Sequence, residues 1–236
     1  MRRVADAMRE WQWPVDPYFA NVELLVNMGG ADGSTTFTDV SKNAFVITTS
    51  GNAQIDDAVQ VNGVNTCLLD GSGDFLFAPN SEALRVRGDD FTLETFIRVN
   101  TLGRTQTIAN KRDGGGAEEF SWAVNGANVL VLVLFSGGSA VAAVNGATAL
   151  TTGQVYHVAA TRQGDTFSLW LDGVLDGSVV DTSATASTNG AAFKIGRDGF
   201  NSSRDFDGWI GPFRFTKGIC RYTEPFTPHF GPFPQA

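Results

Sequence analysis

Side chains that could carry out hydrolysis are few in this sequence, and their spacing does not suit catalysis. Retaining glycoside hydrolysis needs two carboxyl groups about 5 Å apart, and residues two positions apart on a strand point to the same face. Glu118 and Glu119 are adjacent, so their side chains diverge, and Glu94 stands alone. His157 has no nucleophile near it in the sequence, which indicates a structural histidine. We therefore predict that the chain is not an enzyme.

A polar loop near the end of the chain has the composition of a sugar-binding site. Loops often carry binding residues, and a sugar is typically held by an exposed aromatic ring together with hydrogen-bonding Asp, Asn and Arg side chains. The predicted carbohydrate-binding residues are Arg197, Asp198, Asn201, Arg204, Asp205 and Trp209. The alternative for Trp209 is packing, which is the usual role of tryptophan.

The elements that must position these residues are strands. In the stretch 155–177, Tyr156, Val158 and Ala160 fall on one face of a first strand, and Phe167, Leu169 and Leu171 share a face of a second. This period of two is typical of a sheet. Turns at residues 163–165 and 172–173 contain glycine and aspartate, so the stretch predicts three strands joined by two hairpins. Earlier in the chain, residues 59–70 and 74–78 are also predicted to pair, around Gly71-Ser72-Gly73.

The run 129–135 is apolar throughout and does not alternate. In an antiparallel protein this predicts a strand that is covered on both faces.

Composition excludes several partners. The formal net charge is −8 and the pI is about 4.7, whereas nucleic acid and anionic membrane surfaces attract basic proteins. We therefore predict neither a nucleic-acid nor a membrane partner.

No apolar segment follows Arg2 and Arg3, so we expect no secretory signal peptide. Cys67 and Cys220 are predicted to be buried free thiols, and a disulfide between them is the alternative.

Several motifs resemble laminin-G-like domains, which are concanavalin A-like jelly rolls. The motifs are Tyr156-His157-Val158-Ala159, Leu169-Trp170-Leu171-Asp172-Gly173, Leu69-Asp70-Gly71, Asp90-Phe91-Thr92-Leu93 and Phe206-Asp207-Gly208-Trp209 with the following Phe213-Arg214-Phe215. The resemblance covers residues 16–233 and implies an all-β fold, a two-sheet antiparallel jelly-roll sandwich. Residues 16–236 would form this single domain.

Residues 1–15 do not share the resemblance. Val4, Met8 and Trp11 recur at helical spacing, which indicates a short N-terminal arm or helical turn. An isolated helix of this length is marginal, so we predict that the arm docks on its own domain or on a neighbouring chain. The alternative is a cap that closes the edge of the sandwich. The predicted docking residues are Trp11, Trp13, Pro14 and Tyr18.

Laminin-G-like domains often hold a structural calcium ion, and Asp39 matches the first ligand position of the family. The second ligand is missing, because Gly211-Pro212 stands where relatives have two aspartates. The alternative is that Asp39 is a turn residue, a common place for aspartate, and we expect no cofactor other than a structural calcium ion.

The opening and closing motifs are especially similar to laminin-G-like modules of tailed-bacteriophage virion proteins. The resemblance implies a structural or adhesion subunit of a virion (decoration, fibre or tail-associated protein) that is assembled in the host cytoplasm. The expected partners are other virion proteins and the chain itself as a homo-oligomer. A host-glycan-binding, lectin-like adhesin is the alternative.

Overall fold

Two antiparallel β-sheets stack face to face. The computed structural model describes residues 15–86, 88–114, 118–182 and 190–235, so Trp11, Trp13 and Pro14 lie outside the described residues. Within these ranges the chain forms fifteen strands and three short 3-10 turns, at Phe19–Asn21, Glu82–Leu84 and Ser202–Arg204. The predicted all-β jelly-roll sandwich is confirmed.

The larger sheet has eight strands. Its order is β13-β12-β11-β6-β15-β4-β3, and β1 pairs with β15 beside this path. These strands are β1 (Val22–Val26), β3 (Gln54–Val61), β4 (Val64–Asp70), β6 (Phe91–Val99), β11 (Val155–Gln163), β12 (Thr166–Leu171), β13 (Val174–Val180) and β15 (Asp207–Lys217).

The smaller sheet has seven strands in the order β10-β9-β8-β7-β14-β5-β2. They are β2 (Thr48–Ser50), β5 (Phe75–Ala78), β7 (Gln106–Lys111), β8 (Phe120–Val124), β9 (Leu130–Ser136), β10 (Ser139–Asn145) and β14 (Phe193–Ile195).

The three strands predicted over residues 155–177 are β11, β12 and β13, which pair in sequence order. The residues predicted to share one face of β11 and one face of β12 all lie in the core between the sheets. Asp172 and Gly173 both have positive φ, at 49° and 80°, as a two-residue hairpin turn with matching twist requires. This prediction is confirmed at the level of single side chains.

The predicted pairing of residues 59–70 with residues 74–78 is wrong. β4 pairs with β3 and β15 in the larger sheet, whereas β5 pairs with β2 and β14 in the smaller one. Gly71 and Gly73 have φ of 81° and 84°, and with this geometry the loop carries the chain from one sheet to the other. Glycines of this kind are compatible with a hairpin and with a crossover.

Strand β6 is covered on both faces. Four of its side chains face the core between the sheets, and Phe96 belongs to a second apolar cluster on the outer face; the four are Phe91, Leu93, Ile97 and Val99.

The run 129–135, for which cover on both faces was predicted, forms β9. Its residues Leu130, Leu132 and Leu134 are buried, while Val131 and Val133 are half-buried. The cover over the outer face of β9 is therefore partial within the described residues.

The C-terminal segment supplies the cover over β6. The Phe233 ring stacks on Phe96 with centroids 6.1 Å apart, and Phe230 lies 5.3 Å from the same ring. The backbone N–H of Asp16 donates to the carbonyl of Gln235 at 3.0 Å. The two ends of the described chain therefore meet on the outer face of the larger sheet.

Both cysteines are free, and Cys67 is buried whereas Cys220 is half-buried. The prediction of free thiols is therefore confirmed. In the described part of the chain, no helix is long and apolar enough to cross a membrane.

Candidate carbohydrate-binding site

An open pocket of about 210 Å³ lies on the outer face of the larger sheet, over β11, β12 and β13. We call it the outer pocket. Its lining residues are Thr161, Gln163, Thr166, Ser168, Trp170, Leu175, Ser178, Cys220, Tyr222 and Thr223.

The floor of the outer pocket follows from the alternation of the strands. Because Ala160 and Leu169 face the core, Thr161, Ser168 and Trp170 must face outward. The Trp170 indole N–H donates to the Thr161 hydroxyl at 3.0 Å, and the Ser168 and Ser178 hydroxyls are 3.3 Å apart. Trp170 is only 3% exposed, so it fixes the shape of the floor while offering little open surface.

A segment that follows β15 forms the wall of the pocket. The Tyr222 and Phe226 rings stack in parallel with centroids 3.5 Å apart, and the Phe226 N–H donates to the Gly173 carbonyl at 3.0 Å. A Cβ atom at Gly173 would overlap the Phe226 carbonyl oxygen. The glycine of the β12–β13 turn is therefore what allows the wall to approach the sheet.

Buried charges hold this wall from behind. The Tyr222 hydroxyl donates to Glu94 at 2.6 Å, and the Arg214 guanidinium donates to the same carboxylate at 2.8 Å. Arg221 donates to both oxygens of Asp16, at 3.0 and 2.7 Å, and Arg214 also reaches Asp16 at 3.1 Å. We call Asp16, Glu94, Arg214, Arg221 and Tyr222 the anchor network.

The anchor network shifts the pKa values of its members. Burial alone would raise the pKa of Glu94, but the charge of Arg214 and the contacts of His157 and Arg221 hold it well below its usual range. The pKa of Asp16 is likewise lowered against the effect of burial, chiefly by Arg221. Burial, and then the adjacent Glu94 charge, raise the pKa of the Tyr222 phenol. The network therefore consists of ionised Asp16 and Glu94 and a neutral phenol.

His157 belongs to the same region and is fully buried. Its Nε2 lies 3.4 Å from Glu94, and its ring packs against Phe96 and Phe226. Its Nδ1 has no hydrogen-bond partner among the described residues. This placement fits the structural role that the sequence predicts.

The pocket itself presents uncharged hydrogen-bonding groups. Its polar side chains are Ser, Thr, Gln and Tyr, and within the described residues no Asp, Glu, Lys or Arg lines it. Gln163, Thr166 and Thr223 make no side-chain hydrogen bond to any described residue, so their groups are available to a ligand. Hydroxyl and amide groups can both donate and accept, which suits a ligand that carries hydroxyl groups.

In the loop predicted to bind sugar, the carboxylates are buried and pair with other groups of the protein. Asp198 is buried and accepts from Arg204 at 3.0 Å, from Arg112 at 3.5 Å and from the Phe200 N–H at 2.9 Å. Asp205 is also buried and accepts from the Gly73 N–H at 2.8 Å, with Arg197 3.5 Å away. Two of the six predicted residues therefore hold the loop in place.

The other predicted residues are placed apart from each other. Asn201 caps the turn Ser202–Arg204 by accepting from the Ser203 N–H, and the Arg197 guanidinium lies 4.8 Å from the Phe75 ring centroid. Trp209 lies on β15, where its indole N–H donates to Asp56 and the Arg98 guanidinium lies 4.6 Å from its ring centroid. These contacts of Trp209 are with β3 and β6, whereas Asp198, Asn201 and Arg204 make contacts within their own loop.

Sequence reasoning missed Phe200, which is 61% exposed in the middle of this loop. Its ring and that of Phe135 lie 5.0 and 4.4 Å from the Arg112 guanidinium. It also missed the outer pocket. The available signal was the alternation of Thr and Ser residues in 161–168, but only the fold brings these residues close to Tyr222.

Asp39, the predicted calcium ligand, is buried and saturated with protein donors. Its carboxylate accepts from the backbone N–H groups of Leu25, Ser41 and Phe45 and from the Ser41 hydroxyl, all at 2.8 to 2.9 Å. No group of three His, Cys, Asp or Glu side chains able to hold a metal occurs in the described ranges. Asp39 thus organises the turn after β1, and its surroundings do not fit calcium binding.

Comparison with known proteins places the chain in a family. Residues 70–219 match the family described as the concanavalin A-like lectin/glucanases superfamily, in its laminin-G form. The chain therefore belongs to this superfamily. No curated protein matches the chain.

Solved structures share the fold at low sequence identity. The binding domain of Paraclostridial Mosquitocidal Protein 1 has a TM-score of 0.67 and 15% identity, over 85% of this chain and 49% of that one. The binding domain of Botulinum Neurotoxin DC in complex with SialylT has a TM-score of 0.62 and 14% identity, over 84% and 48%. This chain spans about half the length of these toxin domains.

A third structure matches along most of its length. Domain 4 of AbnA, an extracellular GH43 arabinanase from Geobacillus stearothermophilus, was solved in complex with arabinotriose. It has a TM-score of 0.61 and 16% identity, over 85% of this chain and 94% of that one. The first two neighbours are described as binding domains, and the third is one domain of an arabinanase.

Proposed function

We propose that this chain is a non-catalytic carbohydrate-binding domain whose ligand enters the outer pocket. One observation carries the proposal: the pocket is lined by uncharged groups, three of which make no side-chain hydrogen bond to the described chain, beside the half-buried Tyr222 ring. Pockets with a few placed polar groups beside aromatic surface are typical of small-ligand sites. The neighbours solved with arabinotriose and with SialylT support a glycan as ligand.

The absence of a carboxylate among the described residues that line the pocket supports a binding role over glycoside hydrolysis. The nearest carboxylate of the anchor network, Glu94, is fully buried and paired with Arg214 and Tyr222. A glycosidase needs two carboxyl groups that flank the scissile bond. Glu94 lies behind the wall of the pocket, so it would position Tyr222 and would not contact the ligand.

The experiment is a glycan array probed with the wild-type chain and with Ser178→Trp. Ser178 is exposed on the edge strand β13 and lines the pocket, so an indole there fills the site without disturbing the core. The matched control is Ser139→Trp, at an exposed position of β10 that does not line the pocket. We expect Ser178→Trp to abolish glycan binding and Ser139→Trp to retain it.

Two results would contradict the proposal. If the array shows no binding by the wild-type chain, the domain is not a glycan binder. If Ser178→Trp binds normally while Arg204→Ala or Trp209→Ala does not, the ligand site is one of the regions predicted from the sequence.

We also propose that the domain serves as a virion subunit that binds other virion proteins or copies of itself, with the glycan site directed at the host surface. Its support is the sequence resemblance and an apolar surface where the predicted docking arm joins the domain: Val15 is 70% and Tyr18 42% exposed. Deletion of residues 1–14 should then prevent incorporation into particles while the isolated domain stays folded. Normal incorporation of the truncated chain would contradict this role.

A further inference from the structure

We infer that the outer pocket selects a single uncharged sugar residue and rejects sugars that carry a carboxylate. This inference rests on the proposed function and makes it more specific. It depends on three properties of the pocket: its size, the charges around it and the hydrogen bonds that its walls leave open.

The size indicates one ring. Pockets for drug-sized ligands usually have volumes of roughly 300–1,000 Å³, whereas the outer pocket has about 210 Å³. An extended oligosaccharide would therefore place one residue inside and the remainder over the exposed rim, where Gln163, Ser178 and Thr223 lie.

The charges oppose an acidic sugar. Within the described chain no Lys or Arg lines the pocket, and Arg214 and Arg221, which lie behind Tyr222, are already paired with Glu94 and Asp16. The Tyr222 hydroxyl is directed to the Glu94 carboxylate and is not available to a second anion. Burying a carboxylate without a cation is costly, so a sialic or uronic acid loses affinity relative to its neutral counterpart.

The open hydrogen bonds suit hydroxyl groups. Gln163 offers an amide, and Thr166 and Thr223 offer hydroxyls, each able to donate and to accept. A sugar hydroxyl has the same dual character, whereas a carboxylate only accepts. These three groups can therefore each pair with a hydroxyl group of a neutral ring.

The test is an array that carries each oligosaccharide both as an uncharged form and as its sialylated or uronic-acid counterpart. The chain is compared with Gln163→Lys and Gln163→Glu, a matched pair at one exposed rim position. We expect the wild-type chain to prefer the neutral forms, with affinity nearly independent of salt. Gln163→Lys should raise affinity for the acidic forms about 2- to 5-fold at low salt, as one exposed ion pair does, and Gln163→Glu should lower it.

The outcomes separate the inference from the proposed function. If the wild-type chain prefers acidic forms and Ser178→Trp abolishes that binding, the pocket binds glycans and the inference is overturned. If no oligosaccharide binds, or if Ser178→Trp has no effect, the pocket is not the glycan site and both proposals are overturned.

Discussion

The outer pocket and the loop 197–205 use charged residues in opposite ways. In the loop, Asp198 and Asp205 are buried. Asp198 pairs with Arg112 and Arg204, and Asp205 pairs with Arg197 and accepts from the Gly73 N–H. At the pocket, the charges lie behind the wall in the anchor network, and the surface that faces solvent is uncharged. In both regions, therefore, buried charge positions the backbone, and at the pocket the groups that face a ligand are uncharged.

The comparison also separates two kinds of aromatic residue. Tyr222 is fixed by a hydrogen bond to a buried carboxylate and by a parallel stack on Phe226. The Phe200 ring lies over Arg112 and beside Gly114, and it stays largely exposed. A ring that is held rigidly loses little entropy on binding a ligand, which favours the pocket as the site.

The largest effect is expected for Glu94→Gln, which breaks the anchor network. Arg214 would keep Asp16 at 3.1 Å but lose its closest charged partner, and Tyr222 and His157 would lose the same buried carboxylate. Removal of one member of a buried ionic group typically costs about 3–5 kcal/mol. We expect a loss of this size in the free energy of unfolding, measured by urea denaturation, together with weaker glycan binding because Tyr222 is released. The control is Glu224→Gln, an exposed residue two positions after Tyr222, which should change stability by less than about 0.5 kcal/mol. Unchanged stability in Glu94→Gln would show that the network does not anchor the wall.

The next effect is expected for Asp198→Asn, which tests the loop. Arg112 keeps Glu118 as a partner at 3.1 Å, so we expect a smaller loss, of about 1.5–3 kcal/mol, the usual cost of a hydrogen bond to a charged group. Glycan affinity of the folded variant should be unchanged, because the loop and the pocket share no residue. A selective loss of glycan binding with little loss of stability would instead make Asp198 a ligand contact.

Acid should lower the free energy of unfolding by protonating the carboxylates of the anchor network. Because the folded-state pKa values of Glu94 and Asp16 are depressed, their contribution to stability is fully present above their unfolded values of 4.5 and 3.8. It is lost as the pH falls toward the folded values. Each such group contributes a slope of at most about 1.4 kcal/mol per pH unit.

Asp74 and Asp205 act in the opposite sense. Burial raises the pKa of each carboxyl group in the folded state. The stability that follows from this shift is present at low pH and is lost as the pH rises through the raised pKa values. The measurement is the free energy of unfolding from pH 6 down to pH 3, where Glu94→Gln should show a shallower loss than the wild-type chain. If the free energy of unfolding falls equally with pH in both proteins, Glu94 does not contribute to this pH dependence.

Much of the fold could be predicted because it depends on local patterns. The alternation at 156–160 and 167–171 specifies which side chains share a face, and the structure places those faces in the core. The phenylalanines of the C-terminal segment predict a tail that packs on the domain, as Phe226 and Phe233 do. The sheet to which β5 belongs could not be predicted, since glycines such as Gly71 permit both a hairpin and a crossover between sheets.

The site could not be predicted because its partners are far apart in the sequence. Glu94 has no charged neighbour that suggests a role, and its partners are at positions 157, 214 and 222. Composition correctly indicates that residues 197–205 are rich in polar groups, but it does not show that Asp198 and Asp205 are buried. Long-range pairing decides which polar residues remain free.

The smallest effect is expected for Phe200→Ala, and it sharpens the comparison most directly. The exposed ring contributes a cation–π contact with Arg112, so its loss should cost only about 0.5–1 kcal/mol of stability. If the outer pocket is the site, glycan affinity measured by isothermal titration calorimetry should equal that of the wild-type chain. An exposed aromatic that stacked on a sugar would behave differently: Phe200→Ala would then abolish binding at almost unchanged stability, and the loop would replace the pocket as the ligand site.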